Sequence, residues 1–563
     1  PPLPTFFWPI RARWQPPVPR QSAASSHGSL QCSPGLSSLI DVQSSGVGGT
    51  RFHWARQTSV DSARIRYSIN SVAKLRYTDE LTSSPIRDLE LSATVALVMT
   101  NPFKFRWNEW LRMAVRLFSL LLTVLTASCS HSKVAEQPLE QWSPAADSEV
   151  VRQIEGDRSS QIAVMLSFSG GGTRASALSY GVLKELGDTR IQTETGERSL
   201  LHEVDIISSV SGGSFTAAYY GLYGDRIFDD FEEKFLYKNV EGDLFLRGFN
   251  PVNWIKLLGR NYGRSDLAAD YYDKHIFNGA TFADMQRQDA PLVVMNSTDL
   301  ASGARIPFFK GSFDIICTDL DTYPVSRAVA ASSAAPVILS PIALKSHAGE
   351  CQYQTSPWIK ESLRQENSSE RRTEAELIAE YMEQGKRPWL HLVDGGISDN
   401  LGLRAFYNTL GMLNDPGGAV PSLLGDNVRN IIIISVNAHA NHHPHLALRR
   451  YAPSLSEIVS SVTSEQMSRY SQDTIQIVRY QYENLASKLS TQGKQVNFYF
   501  VEVSFNQIPD KDQREYFNSI ATNFNLSDDE VDQLVTVAGR LLQESPAFQA
   551  LLRELAPQGT GLQ

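Results

Sequence analysis

The segment Glu203–Ala218 constrains the fold of this chain more than any other. Val204–Ile207 is an apolar run that predicts a short buried strand, a Ser/Gly cluster follows it, and small and aromatic residues at helical spacing begin at Phe215. A serine on a sharp turn between a strand and a helix is lifted clear of the strand, and its neighbours must be small because the turn is crowded. Ser211 is therefore a candidate nucleophile, and an ordinary Ser/Gly-rich connection is the alternative.

The pattern around this serine departs from the usual Gly-x-Ser-x-Gly. Ser209 stands where the first elbow glycine is expected, and Gly213 occupies the last position. Serine is small but retains a Cβ atom, so we expect its position in the elbow to be more crowded than it would be with glycine.

A second strand, glycine run and helix occur earlier in the chain. Ile162–Phe168 is apolar, and Gly170, Gly171 and Gly172 follow it directly. Three glycines leave backbone N–H groups bare, and the helix that follows adds a dipole of the sign that favours an anion. A nucleotide-phosphate loop is the alternative, but such a loop ends in Gly-Lys-Ser/Thr, whereas Thr173 and Arg174 stand here.

A third motif places an acid at the end of a strand. Leu390–Val393 is apolar, and Asp394 follows it with two glycines that would let a substrate approach. A turn aspartate that caps a loop is the alternative interpretation.

In this order, Gly-Gly-Gly-x-Arg, Ser-x-Gly-Gly and Asp-Gly-Gly, the three motifs resemble those of the patatin-like phospholipases, over roughly Gln161–Ala440. The resemblance implies a Ser–Asp dyad without histidine, in which Ser211 is the nucleophile and Asp394 the base. It also implies that Gly170–Gly172 supply oxyanion-hole N–H groups and that Arg174 helps to hold that loop. Ala175, where a glycine often follows the arginine, is a departure that removes no reacting group. No metal or other cofactor is implied.

The strand pattern predicts the fold class. Continuous apolar runs, unlike alternating ones, are typical of strands buried on both faces, so we expect an α/β fold with a mostly parallel central sheet flanked by helices and with additional helical segments. The reacting residues would lie at the carboxyl ends of these strands, where open α/β sheets place their sites. The predicted strands are Ile162–Phe168, Val204–Ile207, Leu292–Met295, Leu390–Val393 and Ile431–Val436.

The first 158 residues are predicted to lie outside the catalytic domain. Residues 1–98 are interpreted as a disordered or non-native upstream extension, with a targeting peptide as the alternative. Residues 99–128 combine a basic region with an apolar run too short to span a membrane, and they resemble a bacterial lipoprotein signal with Cys129 as the lipidated residue. An ordinary secretory signal or a short anchor is the alternative, and residues 129–158 are predicted to be a polar tether.

The remaining chain divides into a catalytic domain, 159–445, and C-terminal helices with one strand packing on the core, 446–563. Residues 225–290 are rich in aromatic side chains and are interpreted either as a lid or cap that docks on lipid or as a helical subdomain with its own core. Residues 352–388 form a charged helical insertion. Cys317 and Cys351 could pair in an exported protein, or remain as two buried thiols.

The net charge of −9, with no basic stretch interleaved with aromatic residues, argues against nucleic acid as a partner. The expected function is a lipid acyl hydrolase of the phospholipase A or lysophospholipase type, acting on a phospholipid or other lipid ester at a membrane surface. The expected location is the bacterial envelope, lipid-anchored at the outer membrane. The alternatives are a general carboxylesterase or thioesterase, and a non-catalytic envelope lipid-binding protein of the same fold.

Overall fold

The structure is a computed structural model. It describes residues 136–143, 157–259, 262–336, 338–364, 370–412, 424, 427–440, 446, 448–490 and 493–556. The predicted upstream extension, the predicted signal peptide and Cys129 lie outside the described residues, so those predictions remain predictions.

In the part of the chain that the structure describes, ten strands form one large sheet and one small hairpin. They are β1 (Ile162–Phe168), β2 (Arg190–Thr193), β3 (Gly196–Ser199), β4 (Val204–Val210), β5 (Leu292–Asp299), β6 (Arg305–Phe308), β7 (Ile342–Lys345), β8 (Trp389–Asp394), β9 (Asn430–Asn437) and β10 (Asn497–Ser504). The five strands predicted from apolar runs are all present, and four of them are longer than predicted because polar residues at their ends also pair.

The large sheet has the order β10-β9-β1-β4-β5-β8-β7, with β6 also paired to β5, and β2 and β3 form the hairpin. The first five of these strands run parallel to one another, whereas β8 runs antiparallel to β5 and β7 antiparallel to β8. The prediction of a mostly parallel sheet is confirmed.

Helices cover both faces of the sheet. They are α1 (Gly172–Asp188), α2 (Gly212–Tyr223), α3 (Ile227–Phe231), α4 (Val240–Gly248), α5 (Pro251–Leu257), α6 (Arg264–Tyr272), α7 (Lys310–Ile315), α8 (Val325–Ser332), α9 (Pro357–Arg364), α10 (Glu370–Met382), α11 (Gly396–Asp399), α12 (Arg404–Met412), α13 (Leu455–Leu489), α14 (Lys511–Ser519), α15 (Asp528–Glu544) and α16 (Pro546–Glu554).

The core has two parts, one on each face of the sheet. Along β1, Val164 and Leu166 point into the larger cluster, while Ala163 and Met165 point into the smaller one. The larger cluster includes apolar residues of α1, α2 and α15, and the smaller one those of α12 and α13. Because successive side chains of a strand alternate between faces, a strand covered on both sides must be apolar throughout, which explains the continuous runs.

The aromatic residues of the 225–290 region belong to the larger cluster rather than to a core of their own. Phe231, Phe235 and Tyr272 are fully buried in it, and the rings of Phe235 and Phe215 stack at 4.2 Å between centroids. The interpretation as a subdomain with a separate core is therefore wrong, since α2 and this region share one core.

The predicted tether also departs from prediction where it is described. Residues 136–143 lie against the catalytic domain, since the Leu139 N–H donates to the Cys317 carbonyl at 2.8 Å and the Trp142 N–H to the Cys351 carbonyl at 2.9 Å. Cys317 and Cys351 form a disulfide. Backbone bonds to a covalently closed loop thus fix a segment whose polar composition suggested a free linker.

Two further segments are described by the structure. The charged insertion contains the helices α9 and α10, and beyond residue 446 the strand β10 extends the sheet by pairing parallel with β9. Among the described residues, no helix is both long and apolar enough to span a membrane.

Candidate active site

Ser211 stands alone between a strand and a helix. β4 ends at Val210 and α2 begins at Gly212, so one residue makes the whole turn. Ser211 takes φ 50° and ψ −119°. Residues other than glycine rarely adopt this backbone conformation, which costs about 1–3 kcal/mol. The predicted strand, sharp turn and helix are confirmed, and the strain is of the kind found at nucleophile elbows.

Ser332, at the end of α8, supports this strained residue. The Ser211 N–H donates to Ser332 Oγ at 2.9 Å, and the Ser332 hydroxyl donates to the Asn296 carbonyl at 2.6 Å. Ser214 Oγ is also 3.0 Å from Ser332 Oγ. Sequence reasoning assigned Ser332 no role.

The elbow glycines are required by close packing against the first glycine loop. A Cβ atom on Gly212 would lie 2.0 Å from the Gly172 carbonyl oxygen, and one on Gly213 would lie 2.8 Å from the Phe168 carbonyl oxygen. Ser209, in contrast, is fully buried on β4 and accepts a hydrogen bond from Ser214 Oγ at 3.1 Å. The first elbow position therefore accommodates a serine.

Asp394 lies directly beside Ser211. The Ser211 hydroxyl donates to Asp394 Oδ2 at 2.8 Å, and the Gly396 N–H donates to Asp394 Oδ1 at 2.8 Å. Burial is the largest influence on this carboxyl group and raises its pKa to about 6, against the lowering effect of these two hydrogen bonds. The structure thus brings the predicted serine and aspartate into direct contact, with an acid that is more basic than a free one.

The short overlap of β8 with β5, and not the direction of β8, places Asp394 at this edge of the sheet. On β5, β8 pairs with no more than the last three residues, and Asp394 lies opposite Ser297. On the other side of β5, Val210 pairs with Asn296, one residue before Ser297. The last residue of β8 therefore reaches the level of the elbow although the strand runs against its neighbour.

The first glycine loop offers two open N–H groups. The Gly170 N–H donates to the Asn400 carbonyl at 3.0 Å, so it is occupied, contrary to the prediction of three free donors. Gly171 and Gly172 take φ 145° and 60°, and within the described residues neither N–H has an acceptor. Thr173, the next residue, donates its N–H to the Asn523 carbonyl at 2.9 Å.

Two helix N-termini converge on these groups. α1 begins at Gly172 and α2 at Gly212, and a Cβ atom on Gly212 would lie 2.7 Å from the Gly172 nitrogen. Since the N-terminus of a helix carries partial positive charge, the space beside Ser211 favours an anion.

Arg174 is buried, and its guanidinium bonds to two backbone carbonyls. Its Nε donates to the Ala438 carbonyl at 3.0 Å and its Nη1 to the Ile520 carbonyl, while burial lowers its pKa to about 10. These bonds join the first turn of α1 to two distant segments, which is the kind of loop-holding contact that the resemblance implies.

Asn400 is a second residue that sequence reasoning missed. Its backbone carbonyl accepts the Gly170 N–H. Its side-chain oxygen would lie 2.6 Å from a Cβ atom on Gly170 and 2.9 Å from one on Gly396. Asn400 thus separates the glycine loop from the Asp394 loop. Among the described residues, no group of three or more His, Cys, Asp or Glu side chains could hold a metal ion.

Residues 166–407 match the family model of the patatin-like phospholipases. No curated protein is significantly similar to the chain in sequence.

Similar solved structures include human GIVD cytosolic phospholipase A2, with 13% identity over 76% of this chain and 68% of that chain and a TM-score of 0.38. The same human protein in complex with methyl gamma-linolenyl fluorophosphonate and terbium chloride matches with 14% identity, 75% and 66% coverage and a TM-score of 0.35. The complex with methyl gamma-linolenyl fluorophosphonate matches with 14% identity, 73% and 62% coverage and a TM-score of 0.33.

Proposed function

We propose that this chain, whose residues 166–407 match the family model of the patatin-like phospholipases, hydrolyses acyl esters of phospholipids or lysophospholipids through Ser211 and Asp394. The observation that carries the proposal is the 2.8 Å hydrogen bond from the Ser211 hydroxyl to Asp394 Oδ2, made from a strained turn. A serine hydroxyl is a weak nucleophile and needs a base in direct contact. A raised pKa makes Asp394 a better base than a free aspartate, whose pKa is about 3.9.

In the first half of the reaction, Ser211 Oγ attacks the ester carbonyl carbon while Asp394 Oδ2 accepts the hydroxyl proton. The carbonyl oxygen becomes an oxyanion, which the Gly171 and Gly172 N–H groups stabilise. Collapse of this intermediate breaks the bond to the alcohol, and Asp394 returns the proton to that leaving group. Ser211 is left as an acyl ester.

In the second half, Asp394 accepts a proton from water, whose oxygen attacks the acyl-enzyme carbonyl. The Ser211–acyl bond breaks, the free fatty acid leaves, and Asp394 returns the proton to Ser211. Each oxyanion donor in a serine hydrolase contributes about 3 kcal/mol, so the two fixed N–H groups at the N-terminus of α1 would account for much of the catalysis. Gly170, whose N–H is occupied, would position the loop rather than donate.

We also propose that the protein is exported and lipid-anchored through Cys129. The disulfide between Cys317 and Cys351 supports export, since structural disulfides persist in oxidising compartments. Mass spectrometry of the N-terminal peptide from membranes tests the anchor. A peptide that begins at an acylated Cys129 is expected, and an unmodified Cys129 within a longer peptide would remove this proposal without affecting the hydrolase.

Fatty-acid release from phospholipid vesicles tests the activity, with Ser211→Ala and Asp394→Asn compared with the wild type. Removing either member of a cooperating pair is expected to lower kcat by several orders of magnitude. Ser519→Ala and Asp529→Asn, at exposed positions on α14 and α15, are matched controls and should keep full activity. Equal activity of all five proteins would exclude the assigned residues, and an inactive wild type on vesicles and on soluble esters would exclude the hydrolase.

A further inference from the structure

The helices α4 and α5 expose a group of large apolar side chains. Each of the six is between 56% and 81% exposed, and the rings of Phe245 and Phe249 contact edge to face at 4.8 Å between centroids. We call this group the apolar surface, and its members are Phe245, Leu246, Phe249, Val252, Trp254 and Leu258.

This exposure is large for a water-facing helix pair. Six such side chains present on the order of several hundred Å² of apolar area, which reaches or exceeds the largest patch on a typical soluble monomer. In the same region Phe231, Phe235 and Tyr272 are fully buried in the larger core cluster, so the six exposed side chains are not needed to fill that core. The apolar surface therefore indicates a partner.

One end of α4 lies close to the candidate oxyanion loop. The Glu241 N–H, in the first turn of α4, donates to the Phe524 carbonyl at 3.3 Å. The preceding residue, Asn523, accepts the Thr173 N–H, and its carbonyl oxygen would lie 2.3 Å from a Cβ atom on Gly172. Only two residues of the chain thus separate the start of α4 from the glycine loop.

The helix after α5 is also connected to the site. The Ser265 N–H, at the start of α6, donates to Ser340 Oγ at 3.1 Å, and α6 packs on α8. The last residue of α8 is Ser332, which accepts the Ser211 N–H. The apolar surface is therefore carried by helices that are fixed at both ends to the surroundings of Ser211.

The charge around the apolar surface is nearly balanced. Between residues 238 and 258 there are three basic and two acidic side chains. Two of the basic ones are occupied within the fold, since Arg247 bonds to the ring of His275 at 2.7 Å and Lys256 lies 3.6 Å from Asp270. A strongly charged partner such as an acidic protein face would find little complementary charge here.

From these observations we propose that the apolar surface inserts into the interface of a phospholipid bilayer and holds the mouth of the Ser211 site against it. This inference rests on the proposed function, because it assumes that the substrate lies in that bilayer. Tryptophan and phenylalanine on a short amphipathic element are well suited to the headgroup boundary, where one side of the ring meets acyl chains and the other meets water. The near-neutral charge predicts binding to zwitterionic lipid with weak salt dependence.

The path of the N-terminal segment agrees with this orientation. Glu136 lies 3.5 Å from Arg327, and Arg327 also pairs with Asp266, which caps the start of α6. The chain therefore reaches the domain beside the helix that follows α5. From residue 136, the predicted anchor at Cys129 is within about 25 Å of extended chain, so anchor and apolar surface can meet the same membrane.

The test measures partition onto phosphatidylcholine vesicles by the mature chain that begins at residue 129 and carries Cys129→Ala and Ser211→Ala, so that neither the apolar signal segment, a lipid anchor nor hydrolysis contributes. The test variant adds Phe245→Gln, Phe249→Gln and Trp254→Gln. The control adds Tyr480→Gln instead. Tyr480 is 64% exposed and lies on α13. Met467, on the same helix, lies beside Gly396 near the site. Tyr480 follows Met467 toward the end of α13 that leads to β10.

The triple variant is expected to bind vesicles at least about tenfold more weakly than its parent, because the apolar area that enters the interface is removed. The Tyr480 variant should bind like the parent, and all three proteins should unfold at similar temperatures since the changed side chains are exposed. With Ser211 restored, the triple variant should lose vesicle hydrolysis but keep hydrolysis of a soluble short-chain ester.

Unchanged partition of the triple variant would overturn the inference. A wild type that elutes as a dimer and a triple variant that elutes as a monomer, with equal vesicle binding, would overturn it in favour of a second copy as the occupant. If the parent binds vesicles through the apolar surface but the Ser211 enzyme releases no fatty acid, the inference stands and the proposed function fails.

Discussion

Ser332 Oγ lies 2.9 Å from the backbone nitrogen of Ser211 and accepts its N–H, while its own hydroxyl donates to the Asn296 carbonyl on β5. One buried hydroxyl thereby connects the elbow after β4 to the neighbouring strand. The bond runs through the backbone of Ser211 rather than through its hydroxyl. Ser332 is therefore a positioning residue, which holds the strained turn in the conformation that points Oγ at Asp394.

The first prediction concerns this bond. Ser332→Ala leaves a buried N–H without its acceptor, which costs about 1–3 kcal/mol, so kcat should fall roughly 10- to 100-fold with little change in KM. Ser332→Thr, which keeps the hydroxyl, should recover part of the lost rate. Steady-state kinetics on a soluble ester measure kcat and KM separately. An equal loss of kcat in both variants, or a change confined to KM, would contradict the positioning role.

The second prediction concerns pH. The base must be ionised to accept the Ser211 proton, and burial raises the pKa of Asp394 to about 6. The rate constant kcat/KM should therefore be constant above pH 7 and fall as pH drops through about 6, approaching tenfold per unit below that. A pH–rate profile on a soluble ester, with unfolding monitored in parallel, measures this, and full activity at pH 4.5 would rule out a base of raised pKa.

The third prediction concerns the contact between Gly212, at the elbow after β4, and Gly172, in the first glycine loop. A Cβ atom on Gly212 would lie 2.0 Å from the Gly172 carbonyl oxygen, which is backbone and cannot move aside easily. Gly212→Ala should lower the free energy of unfolding by about 1–3 kcal/mol and abolish activity, because the elbow and the oxyanion loop are forced apart. In Gly248→Ala the new Cβ atom would meet no atom within 4 Å, so thermal unfolding of this control should match the wild type.

The fourth prediction concerns the disulfide. Cys317 and Cys351 close a loop of 34 residues, so replacing both by serine should destabilise the fold by roughly 3–4 kcal/mol on the chain-entropy account. Since Leu139 and Trp142 bond to the carbonyls of these cysteines, residues 136–143 should become a site of early cleavage in limited proteolysis. Unchanged stability and an unchanged digestion pattern in the double variant would show that the loop does not depend on the bond.

Local sequence patterns were sufficient for the central strands of the sheet and for the sharp turn at Ser211. The continuous apolar runs predicted β1 and β9 correctly because both faces of these strands are buried, and the Ser/Gly cluster after β4 marked Ser211 because a one-residue turn tolerates few side chains. These signals are confined to neighbouring residues. They could be read without knowing how the chain folds back on itself.

The features that the sequence did not reveal all depend on contacts between distant segments. Ser332 is 121 residues from Ser211, and the Gly170 N–H is occupied by the carbonyl of Asn400, a backbone atom that no side-chain pattern identifies. The antiparallel pairing of β8 and the docking of residues 136–143 are also decided by partners far along the chain. Polar composition predicted a linker there, because composition does not show which backbone groups will be bonded.

The most direct test of the central claim is covalent trapping of the nucleophile. An alkyl fluorophosphonate should react with Ser211 Oγ, losing fluoride, and peptide mass spectrometry should find one adduct on the peptide that contains Ser211. Labelling should be absent in Ser211→Ala and much slower in Asp394→Asn, since the base that accepts the serine proton is removed. A single adduct on another serine, or fatty-acid release by an enzyme whose Ser211 stays unlabelled, would contradict the assignment of Ser211 and Asp394 as the catalytic pair.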